Sequence, residues 1–397
     1  MAYRLTRDAL MLDLYAAFIC AKRHKAKKPY VLHFERNLKE NIESLCDDLW
    51  TRRYKPEPST CFVIQRPKKR EVFAAQFRDR IVHHLYYNYT HELFERTFIQ
   101  DTYSCIPGRG THYGIERMMQ HIRQESHNWQ RPCYALKIDI RGYFMHINRC
   151  RLLDIATASL TKMADHQANG GMKWRDVIDM DFILWLTHEI VLLDPTDGCR
   201  RVGNPSEWDG VDASKLMANA PADCGMPIGN LTSQLFSNVY MNPFDQMVKR
   251  IMRFLFYGRY VDDSDTICAD RQRLENAIPV MRDFLKDELC LDMHMGKTQI
   301  IDVRYGVEFL GAFIKPYRTY ICNRSLSRIR QEAADVMHMG RGQAFRTVNS
   351  LLGVMSHYNS YNLRRNIFMQ DHILRYGSFD RDMTTFTLSK PVTAMCA

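Results

Sequence analysis

Two strand-like apolar runs flank a pair of adjacent carboxylates, and this constrains the chain more than any other feature. The runs are Phe254-Leu-Phe-Tyr-Gly-Arg-Tyr260 and Ser264-Asp-Thr-Ile-Cys-Ala269, with Val261-Asp262-Asp263 between them. The pattern predicts a hairpin with Asp262 and Asp263 at its turn. Burying two neighbouring carboxylates without a countercharge is costly. A divalent cation is the natural countercharge, and oxygen ligands suit magnesium. Paired aspartates also occur in ordinary turns, so their meaning depends on what else the chain brings to them.

A third carboxylate comes from residues 133–140, Cys-Tyr-Ala-Leu-Lys-Ile-Asp-Ile. Tyr134, Leu136, Ile138 and Ile140 alternate with Ala135, Lys137 and Asp139. This predicts a half-buried strand with Asp139 on the face away from the main apolar one. Asp139 beside Asp262 and Asp263 would complete a two-metal site, suited to in-line phosphoryl displacement.

The rest of the chain sets the frame. It has 397 residues, 46% of them hydrophobic, enough for a large core and two or three domains. Fifty-five lysines and arginines against 45 acidic residues give a net charge of +10, which suits a polyanionic partner but also any basic soluble protein. The twelve cysteines include no CxxC pair for zinc, and their scatter reads as reduced thiols. The N-terminus lacks the apolar run of a signal peptide, and no apolar stretch reaches the ~20 residues needed to span a bilayer. A cytoplasmic protein without membrane association is expected.

Residues 1–60 read as amphipathic helices with basic clusters. Two short strands follow at 61–73, around a basic turn at Arg66–Arg70. Phe77, Ile81, Leu85 and Tyr89 recur at spacing four, predicting a helix over 77–98. Residues 151–193 are mostly helical, and 194–225, rich in Gly, Pro, Asp and Asn, read as a long loop. Helices are expected at 231–252 and 271–289, and strands at 300–314. Residues 323–375 read as helical and basic, with eight arginines, three acidic residues and no lysine.

In this order the motifs resemble those of reverse transcriptases. Arg66-Pro-Lys-Lys-Arg70 with Phe77-Arg-Asp-Arg80 resembles the fingers motif that holds the incoming triphosphate. Lys137-Ile-Asp139-Ile-Arg-Gly-Tyr-Phe144 resembles the first carboxylate motif, and Tyr260-Val-Asp-Asp263 the second. Gly225-Met-Pro-Ile-Gly229-Asn-Leu-Thr-Ser-Gln234 resembles the motif beneath the templating pair. Gly296-Lys297-Thr298 is similar to the lysine-bearing palm motif, and Phe309-Leu-Gly-Ala-Phe-Ile314 to the primer grip.

The resemblance implies an α+β right-hand polymerase with fingers (1–131), a ferredoxin-like palm (132–316, with a fingers segment at about 151–225) and a helical thumb (317–397). It implies RNA-directed DNA polymerase activity (EC 2.7.7.49) with two Mg2+ ions, Mn2+ as a substitute, and dNTPs as substrates. Template RNA and the RNA/DNA heteroduplex would be its nucleic-acid partners. Asp139, Asp262, Asp263 and the Ile140 backbone would hold metal, and Lys297 would be the general acid. Lys68, Arg70 and Arg80 would grip triphosphate; planar guanidinium groups pair well with phosphate oxygens. Phe144 would be the steric gate against a ribose 2′-hydroxyl. Ile228, Gly229 and Gln234 would line the dNTP site. By residue type alone each has a plainer reading: a solvated basic turn, a core aromatic, an exposed lysine.

Ile228-Gly-Asn-Leu-Thr-Ser-Gln234 departs from the Gln-Gly-x-x-x-Ser-Pro of most reverse transcriptases. It is similar instead to the diversity-generating retroelement class, as are Arg96-Thr-Phe-Ile-Gln-Asp-Thr-Tyr-Ser-Cys105 and Ser233-Gln-Leu-Phe-Ser-Asn-Val-Tyr-Met-Asn-Pro-Phe-Asp-Gln246. That class implies cDNA mutated at template adenines, mutagenic retrohoming, a small basic accessory protein and a prokaryotic or phage setting. Ile228 cannot make the hydrogen bonds of glutamine, and apolar contacts discriminate less than polar ones. Rival readings are a reverse transcriptase of a retron, group II intron or phage-defence system, and, from another class, a non-catalytic RNA-binding scaffold.

Overall fold

A computed structural model describes residues 3–65, 68–168 and 170–389. Arg66 and Pro67 of the expected fingers motif lie outside the described residues. The chain forms two compact units, each assembled from three separated stretches.

The first unit comprises Met1–Gly110, Lys137–Asp265 and Glu275–Thr298. It opens with α1 (Arg7–Lys22), α2 (Pro29–Arg36) and α3 (Leu38–Trp50). The Thr6 hydroxyl caps α1 by accepting from the Ala9 N–H at 3.2 Å. Leu10, Leu14, Ala17 and Phe18 of α1 are buried, a helical spacing that faces α4 (Phe77–Glu95). In α4, Phe77, Ile81 and Leu85 are buried as their periodicity predicts.

β1 (Thr60–Ile64) and β2 (Arg70–Ala74) pair antiparallel, with Cys61 opposite Phe73. After α6 (Tyr143–His146), α7 (Arg149–Ala164) and α8 (Met180–Val191) comes the stretch expected to be a loop. It is stitched to the sheet: β4 (Arg200–Arg201) adds to β1 in parallel. Glu71 then holds it from β2, accepting from the Trp208 Nε1–H and the Met217 N–H at 2.9 Å each. The helix read at 231–252 is α9 (Leu231–Gln246), continued by a π-helical turn at Met247–Ile251.

The carboxylate-bearing turn joins β5 (Phe256–Tyr260) to β6 (Asp263–Cys268). These strands belong to a sheet of order β5-β6-β3-β7, with β3 at Tyr134–Ile138 and β7 at Gln299–Asp302. The expected alternation of this strand holds over 136–140: Leu136, Ile138 and Ile140 are buried, and Lys137 and Asp139 between them are part-exposed; only Ala135, fully buried on the Lys137 side, departs from it.

The second unit comprises Thr111–Leu136, Thr266–Leu274 and Gln299–Ala397. It contains α5 (Thr111–Glu125) and the first turn of α10 (Arg271–Leu289). β8 (Val307–Phe309), β9 (Ala312–Lys315) and β10 (Arg318–Ile321) form an antiparallel meander. Then α11 (Asn323–Asp335), α12 (Arg341–Ser356), α13 (Tyr361–Phe368) and α14 (Asp371–Leu374) bury Ile329, Val348, Leu352 and Phe368 in one core. A hairpin of β11 (Gly377–Phe379) and β12 (Phe386–Leu388) completes that core, with the Phe379 and Phe386 rings 4.8 Å apart. This hairpin and β10 flank residues 323–375, the part read as helical, and lie within the 317–397 expected to form the thumb.

Candidate active site

The expected metal-binding, general-acid and dNTP-site residues fall in the first unit, whereas the expected primer grip, Phe309–Ile314, runs from the end of β8 into β9 of the second. Asp139 directly follows β3 and is tied at the backbone, its carbonyl accepting from the His294 N–H at 2.8 Å. Ile140 bridges antiparallel to Met293. This pairing brings residues 292–297 alongside, and the Lys297 Nζ donates to Asp139 Oδ2 at 3.1 Å. Lys297 is the better exposed of the two, with 62% of its side chain accessible against 31% for Asp139.

Asp262 is half-buried at the turn, and Asp263 is exposed at the head of β6. The Asp262 carboxyl is pushed up to about 6, first by burial and then by the charges of Asp263 and Asp139. Its own backbone N–H and Lys68 pull the other way. Asp262 thus feels both other carboxylates, and Lys68 acts on it in the opposite direction.

This is a concentration of oxygen donors short of positive charge, which fits a hard divalent cation. Lys297 stands on Asp139 as a partial countercharge. Among the described residues no three Asp, Glu, His or Cys side chains are grouped so as to hold a metal ion. The match to a metal is therefore one of charge and donor type.

An apolar cluster forms from residues that follow the first carboxylate in sequence and from the 228–234 motif. Phe144 lies on α6 and packs with Ile228 against Cys61, Phe73, Met145 and Met217. The Phe144 carbonyl accepts from the Met226 N–H at 2.8 Å, and the Ile228 carbonyl from the Phe73 N–H at 3.0 Å. The expected gate and the unusual residue of the 228–234 motif thus share one apolar cluster. Gly229 has φ +127°, and a Cβ there would meet Val72 Cγ1 at 2.8 Å and the Phe73 carbonyl oxygen at 3.2 Å. Only glycine fits this approach to β2. Gln234 is exposed on the first turn of α9.

The expected triphosphate grip divides. Lys68 is exposed and acts on Asp262, while Arg70 begins β2 opposite Ile64. Arg80 has structural partners: its Nε donates to the Ala75 carbonyl at 2.8 Å, and its guanidinium lies 4.8 Å from the Tyr30 ring centroid.

Four buried residues that sequence reasoning passed over surround the turn. Arg259 is fully buried on β5; its Nε and Nη2 donate to Asp245 Oδ1 and Oδ2 at 2.8 and 2.7 Å. Burial opposes the Arg259 charge, but Asp245 outweighs it and holds the guanidinium ionised. The others are Ser104, Asn238 and Asp245 itself. A strand-like sequence around a lone arginine gives no hint of burial, and Asp245 lies fourteen residues away.

The sequence profile described as reverse transcriptase (RNA-dependent DNA polymerase) matches residues 66–314, well over half the chain. The chain belongs to the reverse transcriptase family. Its mixed helix-and-sheet fold is accordingly the right-hand polymerase fold. No curated protein matches the chain. Among solved structures, apo telomerase from Candida tropicalis is 12% identical with a TM-score of 0.47, covering 85% of this chain and 62% of that one. Telomerase from Candida albicans, in complex with a TWJ fragment of telomeric RNA, is 10% identical with a TM-score of 0.46, covering 83% of this chain and 58% of that one. The reverse transcriptase chain thus spans about three fifths of the length of these telomerases. Membership of the family gives meaning to the order of the motifs along this reverse transcriptase.

Proposed function

We propose that this reverse transcriptase copies a template RNA into cDNA, and that it serves a diversity-generating retroelement, with errors concentrated at template adenines. The observation that carries the class is Ile228 at the head of Ile-Gly-Asn-Leu-Thr-Ser-Gln, lodged in one apolar cluster with Phe144. A glutamine there would offer hydrogen bonds to substrate and template; an isoleucine offers only packing, which inspects a base pair less closely.

Asp139, Asp262 and Asp263, with the Ile140 backbone, would hold two Mg2+ ions, with Mn2+ as a substitute. When bound, the ions supply activation of the primer 3′-hydroxyl and stabilisation of the leaving pyrophosphate. Lys297, hydrogen-bonded to Asp139, would give its proton to that pyrophosphate. Lys68 and Arg70 meet the triphosphate, and the Phe144 ring crowds a 2′-hydroxyl. The basic helices of the second unit lie along the backbone of the RNA/DNA heteroduplex, contacts that position without reading sequence. A small basic accessory protein and a cytoplasmic setting in a prokaryotic host or phage complete the proposal. No helix among the described residues is long and apolar enough to cross a membrane.

Sequencing cDNA made on one RNA template by the wild type and by Ile228→Gln tests the class. Errors at template adenines fall in the variant. An unchanged adenine spectrum refutes the role given to Ile228. A spectrum with no adenine bias in the wild type favours the retron, intron or phage-defence reading, and no extension at all the RNA-binding scaffold.

A further inference from the structure

Val261, the residue before the paired carboxylates, has φ +57°. A β-branched residue rarely adopts this left-handed conformation, and it persists only where the surroundings over-determine it. Here both polar groups of the Val261 backbone are held by side chains. Its N–H donates to Ser104 Oγ at 3.1 Å, and its carbonyl accepts from Arg259 Nη1 at 2.7 Å.

The two holding groups are joined to each other through Asn238. Ser104 Oγ donates to Asn238 Oδ1 at 3.3 Å, and the Asn238 Nδ2 donates back to the Ser104 carbonyl at 2.8 Å. Arg259 Nη1 reaches the same Asn238 Oδ1 at 3.3 Å. The circuit therefore runs from Val261 through Ser104, Asn238 and Arg259 back to Val261. Ser104, Asn238, Arg259 and Asp245 are all at most 1% exposed. In a water-excluded setting such a circuit is rigid when every member is satisfied.

Asp245 anchors it with both carboxylate oxygens on Arg259, and Tyr257 adds a hydrogen bond to Asp245 Oδ1 at 2.7 Å. Asn238 and Asp245 are seven residues apart on α9, two turns along one face. Segment 101–103 supports the outer side: the Tyr103 N–H donates to the Arg259 carbonyl at 2.8 Å, and the Arg259 N–H to the Asp101 carbonyl at 2.9 Å. The circuit accounts for Ser104 in Asp101-Thr-Tyr-Ser-Cys105, and for Asn238 and Asp245 in the α9 motif, to which no chemistry is otherwise assigned.

We infer that Ser104, Asn238, Arg259 and Asp245 are positioning residues for catalysis: they lock the Val261 turn in its left-handed form and so fix the direction in which Asp262 and Asp263 present their carboxylates. The inference rests on the reading of those aspartates as metal ligands. Partners of this kind behind a ligand contribute roughly ten- to a hundredfold to affinity or rate.

The test uses the full chain with Ser104→Ala, Ser104→Thr, Arg259→Lys and Ser104→Ala combined with Val261→Gly. Three quantities are measured: Mn2+ affinity from the resonance of free Mn2+ without turnover, kcat and KM for dNTP on a primed RNA, and the urea midpoint. Ser104→Ala and Arg259→Lys should weaken Mn2+ binding and lower kcat about tenfold or more, with dNTP KM changed less than the rate. Ser104→Thr, which keeps the hydroxyl, restores both. Val261→Gly restores part of the loss in the Ser104→Ala background, because glycine adopts the turn conformation without strain. Mn2+ affinity and kcat within twofold of wild type in folded Ser104→Ala and Arg259→Lys overturn the inference. So does a loss that merely follows the urea midpoint and is not relieved by Val261→Gly. Failure of the underlying reading looks different: the wild type then binds Mn2+ no better than Asp262→Asn and does not extend the primer.

Discussion

Replacing Gly229 by alanine perturbs the proposed dNTP site through the backbone alone, so its cost can be worked from two observations. The residue sits at φ +127°, a conformation that side-chain-bearing residues hold only under strain of about 1–3 kcal/mol. A new Cβ would also lie 2.8 Å from Val72 Cγ1 and 3.2 Å from the Phe73 carbonyl oxygen. Val72 is buried and the carbonyl belongs to β2, so neither gives way freely; overpacking of this kind costs about 1–3 kcal/mol. The two terms share one relaxation and do not add fully, which leaves about 2–4 kcal/mol. The relaxation most open to the chain moves Ile228, whose carbonyl is held by the Phe73 N–H at 3.0 Å. Gly229→Ala should therefore lower the urea midpoint of the first unit and raise the KM for dNTP several-fold. Gly108→Ala is the control, since Gly108 has φ +76° but nothing within 4 Å of a new Cβ. The difference between the two variants isolates the contact with β2. Equal midpoints for Gly229→Ala and Gly108→Ala, with unchanged KM, would refute the claim that close approach to β2 fixes Ile228.

Two further outcomes follow from the first unit. Asp79 is buried, accepting from the Tyr54 hydroxyl and the Glu57 N–H at 2.9 Å each; burial outweighs these partners and Arg78, raising its carboxyl from 3.8 to about 6. Because the folded-state pKa is raised, this group's contribution is fully present below about pH 4 and is lost as pH rises through about 6, about 3 kcal/mol in all. Urea unfolding at several pH values should show Asp79→Asn gaining on the wild type across that window; a constant difference would refute it. Phe144→Ala removes a ring from the apolar cluster that also holds Ile228 and should let the enzyme incorporate ribonucleotides. Discrimination between dNTP and NTP that stays at the wild-type level would remove Phe144 from the gate.

Much of this was legible in the sequence wherever a short-range pattern carried it. Period-four apolar residues marked α4, and two apolar runs around Asp262 and Asp263 marked the β5–β6 hairpin. What escaped depended on distant partners. β4 is two exposed arginines, Arg200 and Arg201, with no strand signature; its pairing with β1 and the anchors at Glu71 create it. β3 follows the alternation of its sequence from Leu136 to Ile140, yet the full burial of Ala135 on the Lys137 side is not marked by it. β11 and β12 are three residues each, too short for periodicity, and are held by the Phe379–Phe386 contact. The circuit around Val261 was the least visible part, since its strain lies in a backbone angle and its polar members read as surface residues until their burial is known.

The account rests on Asp139, Asp262 and Asp263 acting together on a metal-bound primer terminus. The most direct measurement is extension of a primed RNA template with Mg2+ and dNTPs by the wild type and by Asp262→Asn, with binding of the same RNA measured in parallel. The account predicts extension by the wild type, none by Asp262→Asn, and equal RNA affinity for both. Normal extension by Asp262→Asn would contradict it.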